Sequence, residues 1–176
     1  MSDRRATEPP LHQAPRRAPA VRLRPARPGD GPALAALLFE AVHAGAARHY
    51  SAEERRAWAP TPQPPAGWEP RLLEALTTVA VIGRRPAGFT SLGEDGFLDL
   101  LYVAPRWMGR GVADRLHAAL IETARRRAMP VLSTEASHLA RSFLSRRGWR
   151  TTARQSVIRD GVALTNFRME RTLSDG

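Results

Sequence analysis

The 176-residue chain contains no cysteine and no lysine. Without cysteine, it has no disulfide bond, no thiolate zinc site and no cysteine nucleophile. The cysteine content therefore does not determine whether the protein works in a reducing or an oxidising compartment. It also lacks any run of about 18 apolar residues that could span a membrane. Arg4 and Arg5 are not followed by the apolar stretch of an export signal. We therefore expect a cytoplasmic protein that does not cross a membrane.

Arginine supplies all 27 basic residues, against 17 acidic ones, for a net charge of +10. Such a charge favours a nucleic-acid partner only where the arginines cluster on one face. Here they are spread along the chain, and the densest runs, Arg125–Arg127 and Arg146–Arg147, stand at predicted helix ends, where they complement the helix dipole. The missing lysine, with Asn166 as the single asparagine, indicates codon bias. We therefore do not expect a nucleic-acid partner, although an arginine-rich nucleic-acid-binding module remains an alternative.

The length suits one domain. Residues 1–20 hold four of the 15 prolines and almost no large apolar side chain, which predicts a flexible tail before a single domain over residues 21–173. Asp30 is expected to cap a first helix, and Ser51 with Glu54 a second. Alternating and buried apolar patterns predict strands at 21–24, 78–82, 87–92, 97–103, 131–135, 150–158 and 163–171. Helical patterns lie between them, so we predict an α+β fold around one mixed sheet.

The segment Arg106–Ala113 lies between a buried strand and an amphipathic helix. Its glycines, Gly109 and Gly111, would let the backbone curl around an anion at the helix N-terminus, so a phosphate or pyrophosphate is the natural ligand. A plain tight turn would also explain two glycines before a helix. A nucleoside triphosphatase loop is excluded because it needs a lysine, and the third glycine and acidic residue of a dinucleotide fingerprint are missing.

The stretch Leu101–Gly111 resembles the acetyl-CoA-binding motif of GNAT-type N-acetyltransferases, which reads Gln/Arg-x-x-Gly-x-Gly/Ala after an apolar-x-Val-x-Pro strand end. Glu135-Ala136-Ser137 and then Gly148-Trp149 match supporting elements in order, and the resemblance covers residues 21–173. It implies a mixed, mostly antiparallel central sheet flanked by helices and splayed between its two central strands. It also implies transfer of an acetyl group from acetyl-CoA to a primary amine by direct attack.

The resemblance assigns the loop's backbone N–H groups to the coenzyme A pyrophosphate, and main-chain groups of Leu101 and Val103 to the pantetheine arm. An N–H at Tyr102 or close by would stabilise the oxyanion. Arg141, Arg146 or Arg147 would reach the 3′-phosphate. The implied cofactor-binding residues are Leu101, Tyr102, Val103, Arg106, Met108, Gly109, Arg110, Gly111, Val112, Ala113, Ser137 and Phe143.

Direct attack needs a neutral amine, and hence a base or a water relay. Asp99 is the first candidate because it interrupts an apolar strand, and burial makes a carboxylate a stronger base. Asp99 could instead pair with an arginine or cap backbone groups. Glu135 is the second candidate, and it could instead be an exposed or ion-paired strand end. Many relatives carry a tyrosine acid where this chain has Leu144. Either Tyr102, Ser142 or water would replace that acid, or the thiolate would leave without one.

In this fold the acceptor enters between the first helices and the last strands, so His43, Tyr50 and Trp58 are candidate substrate-binding residues, with His49 and Trp68 as further ones. Each could instead be a core or surface residue. No His, Asp or Glu group has metal-ligand spacing, so no metal is expected. The expected partner is a small-molecule or peptide amine, and the chain is expected to be a monomer or homodimer. A non-catalytic acyl-CoA-binding module is another alternative.

Overall fold

The computed structural model describes residues 20–173, so residues 1–19 of the predicted flexible tail lie outside the described part of the chain. Residues 21–173 contain one seven-stranded sheet and five α-helices. The strands are β1 (Val21–Pro25), β2 (Leu76–Ile82), β3 (Arg85–Leu92), β4 (Phe97–Val103), β5 (Val131–Ala136), β6 (Arg150–Arg159) and β7 (Val162–Thr172). The helices are α1 (Gly31–Glu40), α2 (Ala52–Trp58), α3 (Trp68–Glu74), α4 (Val112–Arg126) and α5 (His138–Ser145).

The strand order is β1-β2-β3-β4-β5-β7-β6, and neighbouring strands are antiparallel except β4 and β5. These two parallel strands pair only at Phe97 with Ser133 and at Leu98 with Thr134, and then they separate. The sheet therefore opens into a gap along the second half of β4. The predicted α+β fold, with a mixed and mostly antiparallel sheet splayed at its centre, is confirmed.

Helices cover both faces of the sheet, and side-chain alternation along the strands shows which face each helix covers. Val79 and Val81 of β2 pack in a core with α1 and α3, whereas Ala80 between them packs with α4. A third core joins the C-terminal half of α4 to β5, β7 and Leu144 of α5. Helices therefore lie on both faces of the sheet beside the gap between β4 and β5.

The predicted helix starts are partly confirmed. Ser51 and Glu54 form the expected capping box at α2: the Ser51 hydroxyl accepts from the Glu54 N–H at 3.1 Å, and the Glu54 carboxylate accepts from the Ser51 N–H at 2.7 Å. Asp30 occupies the predicted N-cap position of α1, but its side chain makes no capping hydrogen bond. Its carboxylate accepts two hydrogen bonds from Arg24, at 2.7 and 2.8 Å, and one from the Arg27 N–H. Asp30 therefore ties β1 to the loop before α1.

His117 is a neutral histidine in the core, and its environment predicts an acid-sensitive fold. The imidazole is 7% exposed, and its Nε2 accepts a hydrogen bond from the Trp149 indole N–H at 3.1 Å. Burial, and then the positive charges of Arg171 and Arg147, lower the pKa of His117 to about 4. The unfolded chain takes up this proton at higher pH than the folded chain does, near the unperturbed value of about 6.5.

Stability that depends on neutral His117 is therefore fully present above about pH 6.5 and is lost as the pH falls toward 4. We expect the free energy of unfolding to fall by roughly 2 kcal/mol across this window from His117 alone. Urea unfolding at pH 7, 5.5 and 4 measures this, with the variant His117→Gln as the control, because its amide oxygen can still accept from Trp149. An equally steep fall in the variant would show that other groups cause the acid sensitivity.

Candidate functional site

The chain forms an open, glycine-containing loop between β4 and α4. After Val103 it makes one 3₁₀ turn, Pro105–Trp107, and then passes through two glycines before α4 begins. Gly109 has φ +71° and Gly111 has φ +80°, values in the left-handed region that glycine adopts readily. A Cβ placed on either glycine would meet no atom within 4 Å. The glycines therefore leave free space beside the loop backbone.

The N-terminus of α4 presents unpaired donors to this space. The N–H groups of Gly111, Val112 and Ala113 have no hydrogen-bond acceptor within residues 20–173, and Gly111 caps the helix without a side-chain bond. The first orphan N–H groups of a 15-residue helix and its positive dipole end favour an anion at this position. The loop that the glycine pattern predicted thus has the free space and the N–H donors that an anion such as phosphate requires.

A cavity of about 320 Å³, here called the loop cavity, runs from these N–H groups between β4 and α5. Arg146 and Arg147 lie at its wall. The Arg147 guanidinium stacks over the Phe143 ring at 3.6 Å and ion-pairs with Asp114, whereas Arg146 has no ion-pair partner among the described residues. Positive charge and free N–H groups thus occur together along one groove.

A smaller space of about 60 Å³, the central cavity, fills the gap where β4 and β5 separate. A third space of about 400 Å³, the far cavity, opens on the other side of the sheet between α1, the loop before α3, and β6 and β7. Trp58, Tyr102 and Ser137 line all three spaces. The three cavities therefore adjoin one another along a path through the sheet.

The backbone of β4 offers hydrogen-bonding groups to this path. Ala104 N–H donates to Ala87 O on β3 at 2.9 Å, and bonding directions alternate along an antiparallel ladder. The N–H and C=O of Tyr102 are therefore directed toward β3, while those of Leu101 and Val103 face the gap. The oxyanion donor was predicted at Tyr102 or close by. The Tyr102 N–H is directed to β3, so the N–H groups of Leu101 and Val103 are the ones that face the gap.

Both predicted carboxylates, Asp99 and Glu135, line the central and the far cavities. Asp99 is ion-paired with Arg71 of α3, which is the alternative role that the sequence left open for it. Glu135 is more loosely held: its nearest cation, Arg168, is 4.0 Å away, and Asn166 Nδ2 lies 3.5 Å from Glu135 Oε2. Of the two, Glu135 is the carboxylate more available to take a proton.

Two tyrosines lie beside these carboxylates. Burial is the main cause that raises the pKa of Tyr102 to about 12, so its phenol stays protonated at ordinary pH. Tyr50 is 5% exposed; its hydroxyl donates to Thr165 O at 2.8 Å and accepts from His138 N–H at 3.2 Å. Tyr50 therefore lines the far cavity while it fastens β7 to the start of α5.

Several predicted residues lie elsewhere. His43 lines none of the three cavities: its Nε2 is 2.8 Å from Ala59 O and its ring stacks on Phe39, so it holds the end of α2 instead. Arg106 ion-pairs with Glu40 at 3.7 Å, and Arg110 lies over the Trp107 ring. The side chain of Val112 is buried, so only its backbone can serve a ligand. Neither Arg106 nor Arg110 lines the loop cavity.

Some predicted contacts have a structural role as well. The Ser137 hydroxyl accepts from the Ala140 N–H at 3.2 Å and so caps α5, which leaves its own proton to donate into the cavities. Leu144, at the position of the tyrosine acid in many relatives, is buried and borders the central cavity. Sequence reasoning missed Arg71, Arg159 and Asn166, which all line the far cavity. Nothing in the local sequence marks these three residues, because only the fold brings their elements together.

Across residues 20–173, no cluster of three or more His, Asp or Glu side chains is arranged to hold a metal ion. Within the same residues, no helix has both the length and the apolar character needed to cross a membrane.

Comparison with known proteins agrees with this geometry. Residues 46–171 match the family model described as acetyltransferase (GNAT) domain. The uncharacterized N-acetyltransferase YafP of Escherichia coli (strain K12) is 34% identical over 149 residues, which cover 85% of this chain and 94% of YafP. The crystal structure of a GCN5-related N-acetyltransferase (Aminotransferase, Class-II) from Rhodopseudomonas palustris is 34% identical with a TM-score of 0.80, covering 89% of this chain and 96% of that one.

A more distant structure shares the fold. The PaiA N-acetyltransferase from Thermoplasma acidophilum, solved in complex with coenzyme A, has a TM-score of 0.68 at 17% identity, and the match covers 88% of this chain and 99% of that one. The family model spans well over half of the chain, and the resemblance seen at Leu101–Gly111 is confirmed. The chain belongs to the GNAT family of N-acetyltransferases.

Proposed function

We propose that this enzyme binds acetyl-CoA along the loop and central cavities and transfers the acetyl group to a primary amine held in the far cavity. The observation that carries the proposal is the path through the sheet, because Trp58, Tyr102 and Ser137 border all three spaces. A cofactor entering from the α4 side and an acceptor entering from the other side would therefore meet at the gap between β4 and β5.

The coenzyme A pyrophosphate would occupy the open space beside Gly109 and Gly111. The free N–H groups of Gly111, Val112 and Ala113 would donate to its oxygens, and the N-terminal end of α4 would add its dipole. Arg146 stands further along the same cavity without an ion-pair partner in the described chain, and is available to the 3′-phosphate. The coenzyme A complex of the fold relative PaiA supports this ligand.

The pantetheine arm would lie in the gap, beside the backbone of β4. Leu101 and Val103 direct their N–H and C=O groups there, so the arm can pair with β4 much as a neighbouring strand would. A backbone N–H of this pair would donate to the thioester oxygen as negative charge develops on it. In other acyl-transfer enzymes, one such donor contributes about 3–4 kcal/mol to the stabilisation of the transition state.

In the chemical step, the amine nitrogen attacks the thioester carbonyl carbon, a C–N bond forms and the C–S bond breaks. The proton leaves the nitrogen for the Glu135 carboxylate, directly or through a water molecule, and coenzyme A departs as its thiolate. No bond to the protein forms at any stage. The absence of cysteine is therefore compatible with the mechanism.

The leaving thiolate needs no strong acid. A thiol has a pKa of about 8.5, so the thiolate is a tolerable leaving group near neutral pH. Leu144 cannot donate a proton, and the Tyr102 phenol, with its pKa raised to about 12 mainly by burial, would hydrogen-bond to the sulfur rather than surrender its proton. Solvent then protonates the departing thiolate.

The test is a coupled measurement on the purified full chain. We expect calorimetry to show one coenzyme A site per chain, and thiol release from acetyl-CoA to depend on an added primary amine. Mass spectrometry should find the acetyl group on the amine and none on the protein. Coenzyme A binding without transfer to any amine would support the non-catalytic alternative, and failure to bind coenzyme A would overturn the proposal.

A further inference from the structure

The far cavity contains one arginine that the protein itself leaves unneutralised. Four charged side chains line this cavity: Arg71, Asp99, Glu135 and Arg159. Asp99 is neutralised by Arg71, and Glu135 lies 4.0 Å from Arg168. Arg159, at the end of β6, has no ion-pair or hydrogen-bond partner among residues 20–173. Its positive charge nevertheless acts on the Tyr102 phenol, whose pKa it lowers against the larger opposing effect of burial.

An unsatisfied acceptor lies on the neighbouring strand. Asn166 Oδ1 on β7 is buried and has no hydrogen-bond partner in the described chain. The Nδ2 atom of the same side chain lies 3.5 Å from Glu135 Oε2. A buried polar atom without a partner is energetically unfavourable. A ligand N–H that reaches this oxygen would satisfy it.

The rest of the cavity wall is mixed. Leu38, Trp68, Leu100, Val157 and Leu164 contribute apolar side chains, and Thr61, Gln63 and Thr165 contribute polar ones. The volume of about 400 Å³ lies at the lower end of the range for small-molecule sites. Such a cavity suits a compact ligand with an apolar body better than an extended chain.

These features separate three kinds of group in one cavity. Glu135 also lines the central cavity, where the thioester would lie, and Asn166 Nδ2 is 3.5 Å from its carboxylate, so this side of the far cavity suits an amine. Arg159 lines the far cavity but not the central cavity, and its positive charge would attract an anion. The apolar part of the wall accommodates the remainder of the ligand.

We infer that the acceptor is an apolar α-amino acid, or a close analogue, whose amine contacts Asn166 and Glu135 and whose carboxylate pairs with Arg159. This inference rests on the proposed acetyl transfer and names the substrate class for the same site. Arg159 is thus assigned to specificity, since it binds the acceptor away from the reacting atoms. Its planar guanidinium can engage both oxygens of a carboxylate.

The test compares matched acceptors that differ only in the carboxylate: phenylalanine with 2-phenylethylamine, leucine with 3-methylbutylamine, and methionine with 3-(methylthio)propylamine. We expect the intact enzyme to acetylate the amino acid of at least one pair with a kcat/KM at least 10-fold higher than that of its uncharged partner. The variant Arg159→Gln should raise KM for the amino acid at least 10-fold, leave the uncharged amine unchanged, and keep coenzyme A affinity.

The control variant is Arg154→Gln, which removes the same charge from the same strand at an exposed position outside the three cavities. It should change neither KM, whereas Arg159→Lys should recover part of the preference. Equal use of both members of every pair, preference for the uncharged members, or transfer to no member would each overturn the inference. Failure of the unmutated protein to bind coenzyme A would instead count against the proposed function.

Discussion

Replacement of Gly111 by valine is expected to abolish measurable binding of coenzyme A. The residue has φ +80° and borders open space beside the first N–H groups of α4. A branched side chain there would occupy the volume assigned to the pyrophosphate and pull the backbone from the left-handed region. Loss of even one hydrogen bond to a charged group costs about 1.5–3 kcal/mol, so Gly111→Ala should already weaken binding at least about 10-fold. Isothermal calorimetry with coenzyme A measures both variants.

Backbone strain must be separated from loss of the binding space, and Gly161 offers a matched control. It lies in the turn between β6 and β7 with φ +77°, and a Cβ there would also meet no atom within 4 Å. Gly161→Ala and Gly161→Val should therefore cost similar stability while leaving coenzyme A affinity unchanged. Equal losses of affinity at Gly161 and Gly111 would attribute the effect to destabilisation and contradict the assignment of the loop.

Replacement of Glu135 by glutamine is expected to lower kcat by about 10²–10⁴-fold at neutral pH, the usual contribution of a general base. Glutamine keeps the size of the side chain but cannot accept the proton from the attacking amine. Coenzyme A affinity should change little, because its phosphate groups would bind in the loop cavity, which Glu135 does not line. The loss should shrink as the pH rises toward the pKa of the amine, because solvent then supplies the neutral nucleophile.

Asp99→Asn is the internal comparison for Glu135→Gln. Asp99 already accepts from Arg71, so its replacement should disturb α3 and lower kcat less than 10-fold, well below the effect of a lost base. Steady-state kinetics of the two variants over pH 6–9 decides between the carboxylates. A larger loss for Asp99→Asn than for Glu135→Gln would assign proton transfer to Asp99.

Local patterns predicted the fold well because each pattern has a local physical cause. The Ser51 and Glu54 capping box formed as expected, and the apolar run Phe97–Val103 became a strand at the centre of the sheet. The two glycines before α4 took the left-handed conformations that the loop requires. The Asp30 side chain makes no capping hydrogen bond because Arg24, six residues earlier on β1, offers its carboxylate a better partner than the helix N-terminus does.

The acceptor side was much less predictable because its residues come from distant parts of the chain. Arg159 and Asn166 stand on the last two strands, and the pairing of β7 with β5 brings this part of the sheet beside Glu135 and the helices of the first half. His43 shows the opposite case: a histidine at the right place in the sequence turns away to bond with Ala59 O. Which backbone groups of a strand face a ligand depends on how the strand pairs with its neighbour, and that pairing is seen only in the structure. Tyr102 is an example, because its N–H is directed to β3 and not to the gap.

The most direct test is a crystal structure of the protein with coenzyme A bound. We expect the pyrophosphate within hydrogen-bond distance of the Gly111, Val112 and Ala113 N–H groups, and the pantetheine arm along Leu101 and Val103 with its sulfur in the central cavity between β4 and β5. Coenzyme A bound elsewhere on the protein, or a sulfur atom far from Glu135 and Tyr102, would contradict the proposed path through the sheet.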